Sequence, residues 1–324
     1  MIREPESMSP ESRNSVFSDE QARLADKKPF LYKRSRILQA IRRFFIERGY
    51  LEVETPYIIP APAPEVHIDA MSAGDLFLHT SPELCMKRLM AAGYHKIFQI
   101  SKCFREGERG DLHLPEFTML EWYRAGIDYG SLMEECESMI LSVVKDVATG
   151  ESNDYASANM NFESPWERLS VEDAFDLYAS ITPEMAVKKG LFDEIMVQEV
   201  EPHLGVTRPV FLYDYPSSLA SLARLRHDDH MVAERFELYM GGMELANGFS
   251  ELTEENEQRA RFEEVLAKRI ELGKKATPMP EKFLKALQHM PESAGIALGI
   301  DRLVMIFTGT HKIDDVVSFT QDDI

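Results

Sequence analysis

The sequence has 324 residues, of which 44% are hydrophobic and 28% are charged, and its formal net charge is −19. This length and composition are typical of a globular protein with a large core, and the acidic balance argues against a protein that wraps nucleic acid. Three scattered cysteines without a CxxC pair argue against a disulfide framework and a zinc site. The polar N-terminus lacks the apolar run of a signal peptide, and no stretch approaches transmembrane length, so we expect a cytoplasmic protein without membrane contact.

The first elements of the chain are a flexible extension, a helix and a strand. Residues 1–28 are rich in Ser, Glu and Pro, and we expect them to form a flexible N-terminal extension. From Lys33, apolar residues recur at helical spacing up to Gly49 and predict an amphipathic helix. An alternating strand over residues 50–56 follows and ends at a proline.

A short strand over residues 76–79 precedes a second predicted helix. Ser81 is the predicted N-cap of this helix, and Pro82 lies in its first turn. Glu83 comes next, where a carboxylate complements the helix dipole. That electrostatic role is sufficient to explain Glu83, so this residue alone does not indicate a functional site.

The most informative stretch runs from residue 104 to residue 123 and predicts two strands joined by a polar loop. Arg105 lies at the end of the entering strand. In the exit strand, the alternation of side chains places Phe117, Glu121 and Tyr123 on one face. An arginine can bind a phosphate through two hydrogen bonds, a ring can stack on a base, and a carboxylate can hold an ammonium group. A solvated, charged hairpin is an equally good interpretation of this stretch alone.

The middle of the chain predicts a helical insertion. After another amphipathic helix, residues 148–167 are polar and rich in Gly, Asn and Ser. Short helices are expected from residue 170 to residue 206, followed by a strand over residues 210–215. We therefore expect an insertion over about residues 150–206 rather than a second large domain.

The second informative stretch centres on a Gly-Gly pair at residues 241 and 242, which predicts a tight hairpin. In the register that this turn favours, Glu237 lies opposite Ala246 and shares a face with Glu244. Two neighbouring carboxylates repel each other unless a cation lies between them, which suggests Mg²⁺. The residues Asn247, Phe249 and Glu251 then fall on the opposite face, unless a β-bulge near residues 246–248 reverses the alternation.

The third informative stretch, residues 294–307, predicts a strand of small residues followed by a helix that begins with Asp301 and Arg302. The simpler alternatives are that Asp301 caps the helix and that Arg302 is a surface charge. Two charged helices are expected before it, over residues 255–272 and 280–289. Neither a Walker A motif nor a G-x-G-x-x-G motif occurs, so the sequence supports neither a P-loop nor a dinucleotide-binding fold.

These three stretches occur in one order and together resemble the three motifs of the class II aminoacyl-tRNA synthetases. HLPEFTMLEWY, GGMELANGFSEL and GIALGIDRLVM are similar to the lysyl branch of that family, and the similarity covers residues 30–324. The resemblance implies an α+β fold, with an antiparallel β-sheet flanked by helices. It also implies one catalytic domain over residues 29–324, which contains the helical insertion.

The resemblance implies two catalytic arginines. Arg105 would hold the α-phosphate of ATP and the carboxylate of the substrate, and Arg302 would cover the adenine and reach the γ-phosphate. The other residues implied in ATP binding are Glu106, His113, Phe117, Glu237 and Glu244. Of these, Glu237 and Glu244 would bind Mg²⁺. The family's Arg-x-Glu is here Arg105-Glu106-Gly107-Glu108, which leaves open which of the two glutamates contacts the adenine amine.

The resemblance also implies a binding site for a lysine-like substrate. The residues of this site are Ser81, Glu83, Glu121, Tyr123, Asn247, Phe249, Glu251 and Ala297. Glu83 and Asn247 would hold the α-end of the substrate, and Glu121, Tyr123 and Glu251 would surround its side-chain ammonium. Ala297 stands where the tRNA synthetases have glycine, and its methyl group changes the shape of the amino-acid pocket.

About 30 residues precede the first catalytic helix, too few for the anticodon-binding OB domain of a bacterial lysyl-tRNA synthetase. The chain therefore resembles the elongation factor P–lysine ligases, which activate (R)-β-lysine and pass it to a lysine of elongation factor P. This resemblance implies ATP and Mg²⁺ as cofactors, elongation factor P as partner, and a homodimer formed through the first motif. Transfer RNA is not an expected partner.

Three alternatives remain open. A lysyl-tRNA synthetase-like enzyme without the anticodon domain would charge tRNA with lysine. An asparagine synthetase of class II type also forms an adenylate, but the lysine-like ammonium site argues against it. A non-catalytic paralogue that binds ATP or an amino acid is disfavoured because the arginine, carboxylate and aromatic positions are nearly all intact.

Overall fold

The computed structural model describes residues 20–148 and 160–324, and it builds one eight-stranded sheet and one three-stranded sheet from them. In chain order the strands are β1 (Leu51–Glu52), β2 (Ile58–Ile59), β3 (Ser72–Ala73), β4 (Leu76–Leu78), β5 (Lys96–Phe104), β6 (Glu116–Ala125), β7 (Glu167–Ser170), β8 (Val210–Pro216), β9 (Val232–Met240), β10 (Met243–Ser250) and β11 (Ser293–Gly299). The larger sheet has the order β1-β5-β6-β11-β10-β9-β8-β7, and the smaller has the order β2-β4-β3.

The larger sheet is antiparallel from β5 to β8, as predicted. Two hairpins in the sequence, β5–β6 and β9–β10, account for most of this arrangement, because a short turn can join only antiparallel strands. The outer pairs β1–β5 and β7–β8 are parallel, which the sequence analysis did not anticipate.

The helices surround this sheet. In chain order they are α1 (Lys28–Glu47), α2 (Glu83–Ala91), α3 (Tyr129–Ala148), α4 (Val171–Tyr178), α5 (Pro183–Lys189), α6 (Phe192–Ile195), α7 (Glu255–Glu271), α8 (Glu281–Leu287) and α9 (Ile300–Thr308). The first predicted helix thus begins at Lys28 rather than at Lys33. Residues 20–26 of the predicted extension are also helical, and residues 1–19 lie outside the described residues.

The principal core lies on one face of the larger sheet. The apolar stripes of α1, α3 and α9 pack there against alternate residues of the central strands, among them Phe98, Leu120 and Trp122. Because side chains alternate across a strand, Glu121 and Tyr123 of β6 point to the other face. The amphipathic helices therefore leave that second face of the sheet available for polar side chains.

The predicted insertion contains the short helices α4, α5 and α6, and it has a hydrophobic core of its own. Phe175 and Phe192 stack within this core, and Leu212 of β8 joins it. The insertion also contributes β7 to the edge of the larger sheet, so it is continuous with the main fold. Residues 149–159, where the boundary was expected, lie outside the described residues.

Asp301 is neither a helix cap nor a surface residue. Its carboxylate is buried and accepts hydrogen bonds from Arg34 of α1 at 2.5 Å and from the backbone N–H of Thr118 in β6 at 2.6 Å. Arg34 also donates to the Thr118 hydroxyl at 2.7 Å. This ion pair therefore fixes α9, and with it Arg302, against the central sheet.

We predict that Asp301→Ala lowers the free energy of unfolding by about 3–5 kcal/mol, because it leaves the Arg34 guanidinium without its carboxylate in a part-buried site. Denaturant unfolding measures this change. Glu281→Gln removes a carboxylate from an exposed pair with Arg259 and serves as the control. Equal losses in the two variants would contradict the structural role of Asp301.

Candidate active site

The second face of the larger sheet carries a row of side chains drawn from five neighbouring strands. Cross-strand pairing places them side by side, and in order they are Gln99, Glu121, Ala297, Asn247 and Glu237. Directly opposed residues in an antiparallel pair project from the same face with their Cβ atoms about 4.5–5.5 Å apart. Residues predicted from three separate stretches of the chain thus lie next to one another.

A β-bulge between Glu244 and Ala246 makes this row possible. Glu244 lies opposite Tyr239, and beyond the bulge Asn247 lies opposite Glu237. The predicted pairing of Glu237 with Ala246 is therefore wrong by one residue. The predicted reversal of the alternation does occur, but at Leu245 rather than at residues 246–248. As a result, Glu244 and Asn247 share the face of Glu237.

A cavity of about 1280 Å³ lies over this face. Most of the predicted site residues line it, and these are Ser81, Glu83, Arg105, His113, Phe117, Glu121, Tyr123, Glu237, Glu244, Asn247, Phe249, Ala297 and Arg302. Two predicted residues are not among those that line it. Glu106 is exposed on the loop between β5 and β6, and Glu251 is fully buried. The volume exceeds that of a typical small-molecule site, which suits two ligands held side by side.

One end of the cavity is rich in carboxylates. The Glu121 carboxylate accepts hydrogen bonds from the Ser81 hydroxyl at 2.5 Å and from the Tyr123 hydroxyl at 2.9 Å. The predicted N-cap at Ser81 is wrong by one residue, because α2 begins at Glu83 and Pro82 is its N-cap. The Ser81 hydroxyl nevertheless accepts the backbone N–H of Glu83 at 3.0 Å. Burial and the nearby Glu83 carboxylate raise the pKa of Glu121 to about 7. An ammonium group bound here would relieve this electrostatic strain.

A buried ion-pair cluster adjoins this end. The Lys87 ammonium lies 2.6 Å from a carboxylate oxygen of Glu83 and 2.5 Å from one of Glu251. Burial lowers the pKa of Lys87, but these two carboxylates outweigh that effect and raise it. The lysine is therefore protonated, and the structure gives Glu251 a resident cation as its partner.

The other end of the cavity carries two guanidinium groups. Arg302 donates to the backbone carbonyl of Glu244 at 2.6 Å and to His113 Nε2 at 2.7 Å. Burial and the Arg302 charge lower the pKa of His113, so the neutral ring can accept this hydrogen bond. The Arg105 guanidinium lies 4.9 Å from the centre of the Phe117 ring. A flat aromatic surface and two fixed positive charges are the groups that a nucleotide needs.

The structure distinguishes the two glutamates of the loop between β5 and β6. Glu108 lines the cavity, and its carboxylate lies 3.7 Å from the Arg105 guanidinium. Glu106 points away from the cavity, and its backbone N–H donates to the carbonyl of Asp69 at 2.8 Å. Of these two glutamates, Glu108 is the one that lines the cavity, and this position favours Glu108 over Glu106 for a contact with a nucleotide.

Sequence similarity agrees with this geometry. The profile of the family described as "tRNA synthetases class II (D, K and N)" matches residues 20–323. The chain belongs to this family. The class II architecture explains why the three motifs, which are far apart in the sequence, converge on one face of an antiparallel sheet.

Several relatives within the class II family have closely similar lengths. A Proteus mirabilis protein named elongation factor P–(R)-β-lysine ligase is 42% identical over 307 residues, which cover 89% of this chain and 94% of that protein. Proteins with the same name from Photorhabdus laumondii and Edwardsiella ictaluri are 42% and 41% identical, and in both the match covers 90% of this chain.

Among the described residues, no helix combines the length and apolar character needed to cross a membrane.

The class II family implies a nucleotide-bound Mg²⁺, and the Glu237 and Glu244 carboxylates fit it. Burial and the neighbouring Glu237 charge raise the pKa of Glu244 to about 7. A cation between the two carboxylates would reduce their repulsion and favour the ionised form of Glu244. In the described part of the chain, no group of three or more His, Cys, Asp or Glu could hold a metal. Mg²⁺ in nucleotide sites is commonly bound by one or two carboxylates together with phosphates, so two glutamates are a suitable protein contribution.

Sequence reasoning missed three charged residues of this class II site. Arg235 donates to Glu237 at 2.6 Å and to Asn247 at 3.3 Å, and it thereby orients both. Glu65 lines the cavity, where burial and Glu83 raise its pKa to about 7. Lys87, whose ammonium contacts Glu83 and Glu251, is the third residue. The alternation along β9 could have found Arg235, because it lies two residues before Glu237 and therefore on the same face.

We predict that the free energy of unfolding of the ligand-free protein falls as pH rises from the ordinary glutamate value of 4.5 to about 7. A carboxyl with a raised pKa binds more protons in the folded state than in the unfolded state across this window, so its stabilising contribution is lost as pH rises. Glu121→Gln should make this decline shallower. Glu292→Gln, at a side chain that is 80% exposed, should leave it unchanged. Identical slopes for both variants would contradict the buried-carboxylate account.

Gly295 allows the substrate end of the site to close. A Cβ at this position would lie 2.2 Å from the Tyr123 ring and 2.5 Å from a Glu251 oxygen. We predict that Gly295→Ala raises KM for the amino acid by at least about tenfold, because Tyr123 and Glu251 must move. Gly130→Ala on α3, where the nearest atom is 3.5 Å away, is the control. An unchanged KM in Gly295→Ala would show that this packing does not define the pocket.

Proposed function

We propose that this protein is an ATP-dependent, AMP-forming ligase that activates (R)-β-lysine and transfers it to a lysine side chain of elongation factor P. The observation that carries the proposal is the arrangement of one cavity, which joins a phosphate-binding end to a carboxylate end. Relatives that this chain matches over 94–95% of their length are named for this reaction, which supports the same conclusion.

In the first step, a carboxylate oxygen of (R)-β-lysine attacks the α-phosphorus of ATP. The bond to the bridging oxygen breaks, and pyrophosphate leaves with the electron pair of that bond. Arg105 would hold the α-phosphate and the reacting carboxylate, while Phe117 supports the adenine. Arg302 and His113 would bind the outer phosphates. Mg²⁺ held by Glu237 and Glu244 would neutralise phosphate charge.

In the second step, the neutral amine of the acceptor lysine attacks the carbonyl carbon of the adenylate. An amide bond forms, the bond to the phosphate oxygen breaks, AMP leaves, and the amine loses a proton to solvent. Neither step requires a nucleophilic side chain. Positioning of the reactants and electrostatic stabilisation by the two arginines would therefore supply most of the rate enhancement.

The amino-acid end of the cavity supports a substrate with two ammonium groups. Glu121, held by Ser81 and Tyr123, offers a carboxylate to one of them, and Glu83 offers a carboxylate at the first turn of α2. Ala297 lies between Glu121 and Asn247 in the sheet. Its methyl group would narrow the space between these two side chains, consistent with an amino group that is shifted by one carbon.

A homodimer is also part of the proposal. Large apolar side chains are exposed on α1 and on the short strands that follow it, and these are Tyr32, Ile46, Leu51 and Ile58. They belong to the first motif, which the class II resemblance implies as the dimer interface. An exposed apolar surface of this kind is typical of a protein–protein contact.

We predict that Arg105→Ala lowers kcat/KM for ATP–pyrophosphate exchange with (R)-β-lysine by at least about a hundredfold, because it removes the cation beside the transferring phosphate. The wild type should support exchange with (R)-β-lysine. Arg168→Ala, at a guanidinium whose nearest carboxylate is 3.7 Å away, is the control. Near-normal exchange in Arg105→Ala would refute the assigned site.

Ala297→Gly tests the proposed selectivity separately. Removal of the methyl group restores the glycine of the tRNA synthetases, so we predict a relative gain of about tenfold or more in kcat/KM for α-lysine against (R)-β-lysine. Both exchange rates are measured on the same preparation, and thermal unfolding confirms the fold. An unaltered preference would remove Ala297 from the set of specificity residues.

A further inference from the structure

Lys87 is a buried cation at the amino-acid end of the cavity, and its side chain is 1% exposed. It lies on α2, one turn after Glu83, and its ammonium contacts Glu83 at 2.6 Å and Glu251 at 2.5 Å. The Phe249 ring lies 4.9 Å from the same ammonium. A lysine in this position is costly, because a charge removed from water loses solvation that ion pairing must offset.

The contacts of Lys87 are those that the class II resemblance assigns to the substrate. The resemblance implies that Glu251 helps to surround the side-chain ammonium of a lysine-like substrate and that Phe249 belongs to the same substrate site. In the structure Glu251 is fully buried, and the ammonium beside it belongs to the protein. Because Glu251 is paired with the resident lysine, the carboxylate that faces the cavity here is that of Glu121, which accepts the hydrogen bond of the Tyr123 hydroxyl.

The formal charges at this end of the cavity can be counted. Three carboxylates belong to it, those of Glu83, Glu121 and Glu251, and Lys87 supplies one positive charge. With all three ionised, three negative charges and one positive charge give −2. Burial raises the pKa of Glu121 to about 7 and that of Glu251 to about 8 in the ligand-free protein, so this full charge is reached when ammonium groups are bound. A lysine isomer carries two ammonium groups, so the pocket with Lys87 matches its positive charge.

We infer that Lys87 is a built-in counter-ion, a positioning residue that sets the charge of the amino-acid pocket to match a substrate with two ammonium groups. This inference rests on the proposed function and extends it to a residue outside the cavity wall. The titratable groups that face Lys87 come from three elements: Glu83 on its own helix, Glu121 and Tyr123 on β6, and Glu251 directly after β10. The Phe283 ring of α8 lies 6.0 Å from its ammonium.

Removal of this charge has a definite electrostatic consequence. Without Lys87, the carboxylates repel one another more strongly, and their pKa values rise. A larger fraction of them is then protonated at neutral pH, and protonated carboxyls bind an ammonium group poorly. Amino-acid binding should therefore weaken and require a higher pH, whereas the ATP end of the cavity should be unaffected.

The first test compares the wild type with Lys87→Met and Lys87→Arg in ATP–pyrophosphate exchange with (R)-β-lysine between about pH 6 and about pH 9. We expect Lys87→Met to raise KM for the amino acid by about tenfold or more, to leave KM for ATP within about twofold, and to shift the pH profile of kcat/KM to higher pH. Lys87→Arg retains the charge and should retain the wild-type pH profile. Lys282→Met, on the neighbouring α8, is the control.

Two results of this test would each overturn a different conclusion. An unshifted pH profile in Lys87→Met would overturn the counter-ion inference, even if the variant were less stable. A wild type that fails to activate (R)-β-lysine would instead overturn the proposed function.

A second test uses stability instead of activity. Denaturant unfolding at about pH 9 is measured for Lys87→Met, Glu251→Gln and the double variant. If Lys87 acts as a counter-ion, Glu251→Gln restores most of the stability lost in Lys87→Met, because the fully buried Glu251 carboxylate is then no longer left without the cation that contacts it. If Lys87 only fills space, the two losses add. A double variant that is no more stable than Lys87→Met overturns the inference.

Discussion

The burial of carboxylates on one face of the central sheet is the constraint on which the candidate site depends. The opposite face packs against α1, α3 and α9, so the charged residues are confined to the other side, which α2, α7 and α8 cover in part. Each buried carboxylate then requires a cation or a hydrogen-bond donor. Arg235 donates a hydrogen bond to Glu237, and the hydroxyls of Ser81 and Tyr123 donate to Glu121. Lys87 forms an ion pair with Glu251. Raised pKa values remain at Glu251, which is paired with Lys87, and at Glu121 and Glu244, which line the cavity and are therefore suited to receive a cationic ligand.

The fold explains how residues so far apart in the sequence converge. The three strands β6, β11 and β10 are adjacent in the sheet, and their side chains meet because strand pairing fixes the register. The bulge at Leu245 then brings Glu244 and Asn247 to the same face. The Asp301–Arg34 pair holds α9 so that Arg302 reaches the cavity. The arginine-bearing end and the carboxylate-rich end of the cavity therefore share one support.

Much of this arrangement could be predicted from the sequence, because strand alternation and turn chemistry are local properties. The Gly241-Gly242 turn, with φ values of 64° and 73°, and the face shared by Glu237 and Glu244 follow from such local properties. The position of the bulge could not be predicted, since it depends on how β10 fits between β9 and β11. Lys87 was missed for a related reason. A lysine on a charged helix normally points to water, and only the tertiary structure shows that it is enclosed by Glu83 and Glu251.

Transfer of label tests most directly whether this protein passes a β-amino acid to another protein. Purified protein is incubated with ATP, Mg²⁺ and labelled (R)-β-lysine or α-lysine, and then with elongation factor P or with total tRNA. We predict that (R)-β-lysine is preferred and that its label moves to elongation factor P. Label from α-lysine that moves to tRNA, with none on elongation factor P, would contradict it and would identify a tRNA-charging enzyme.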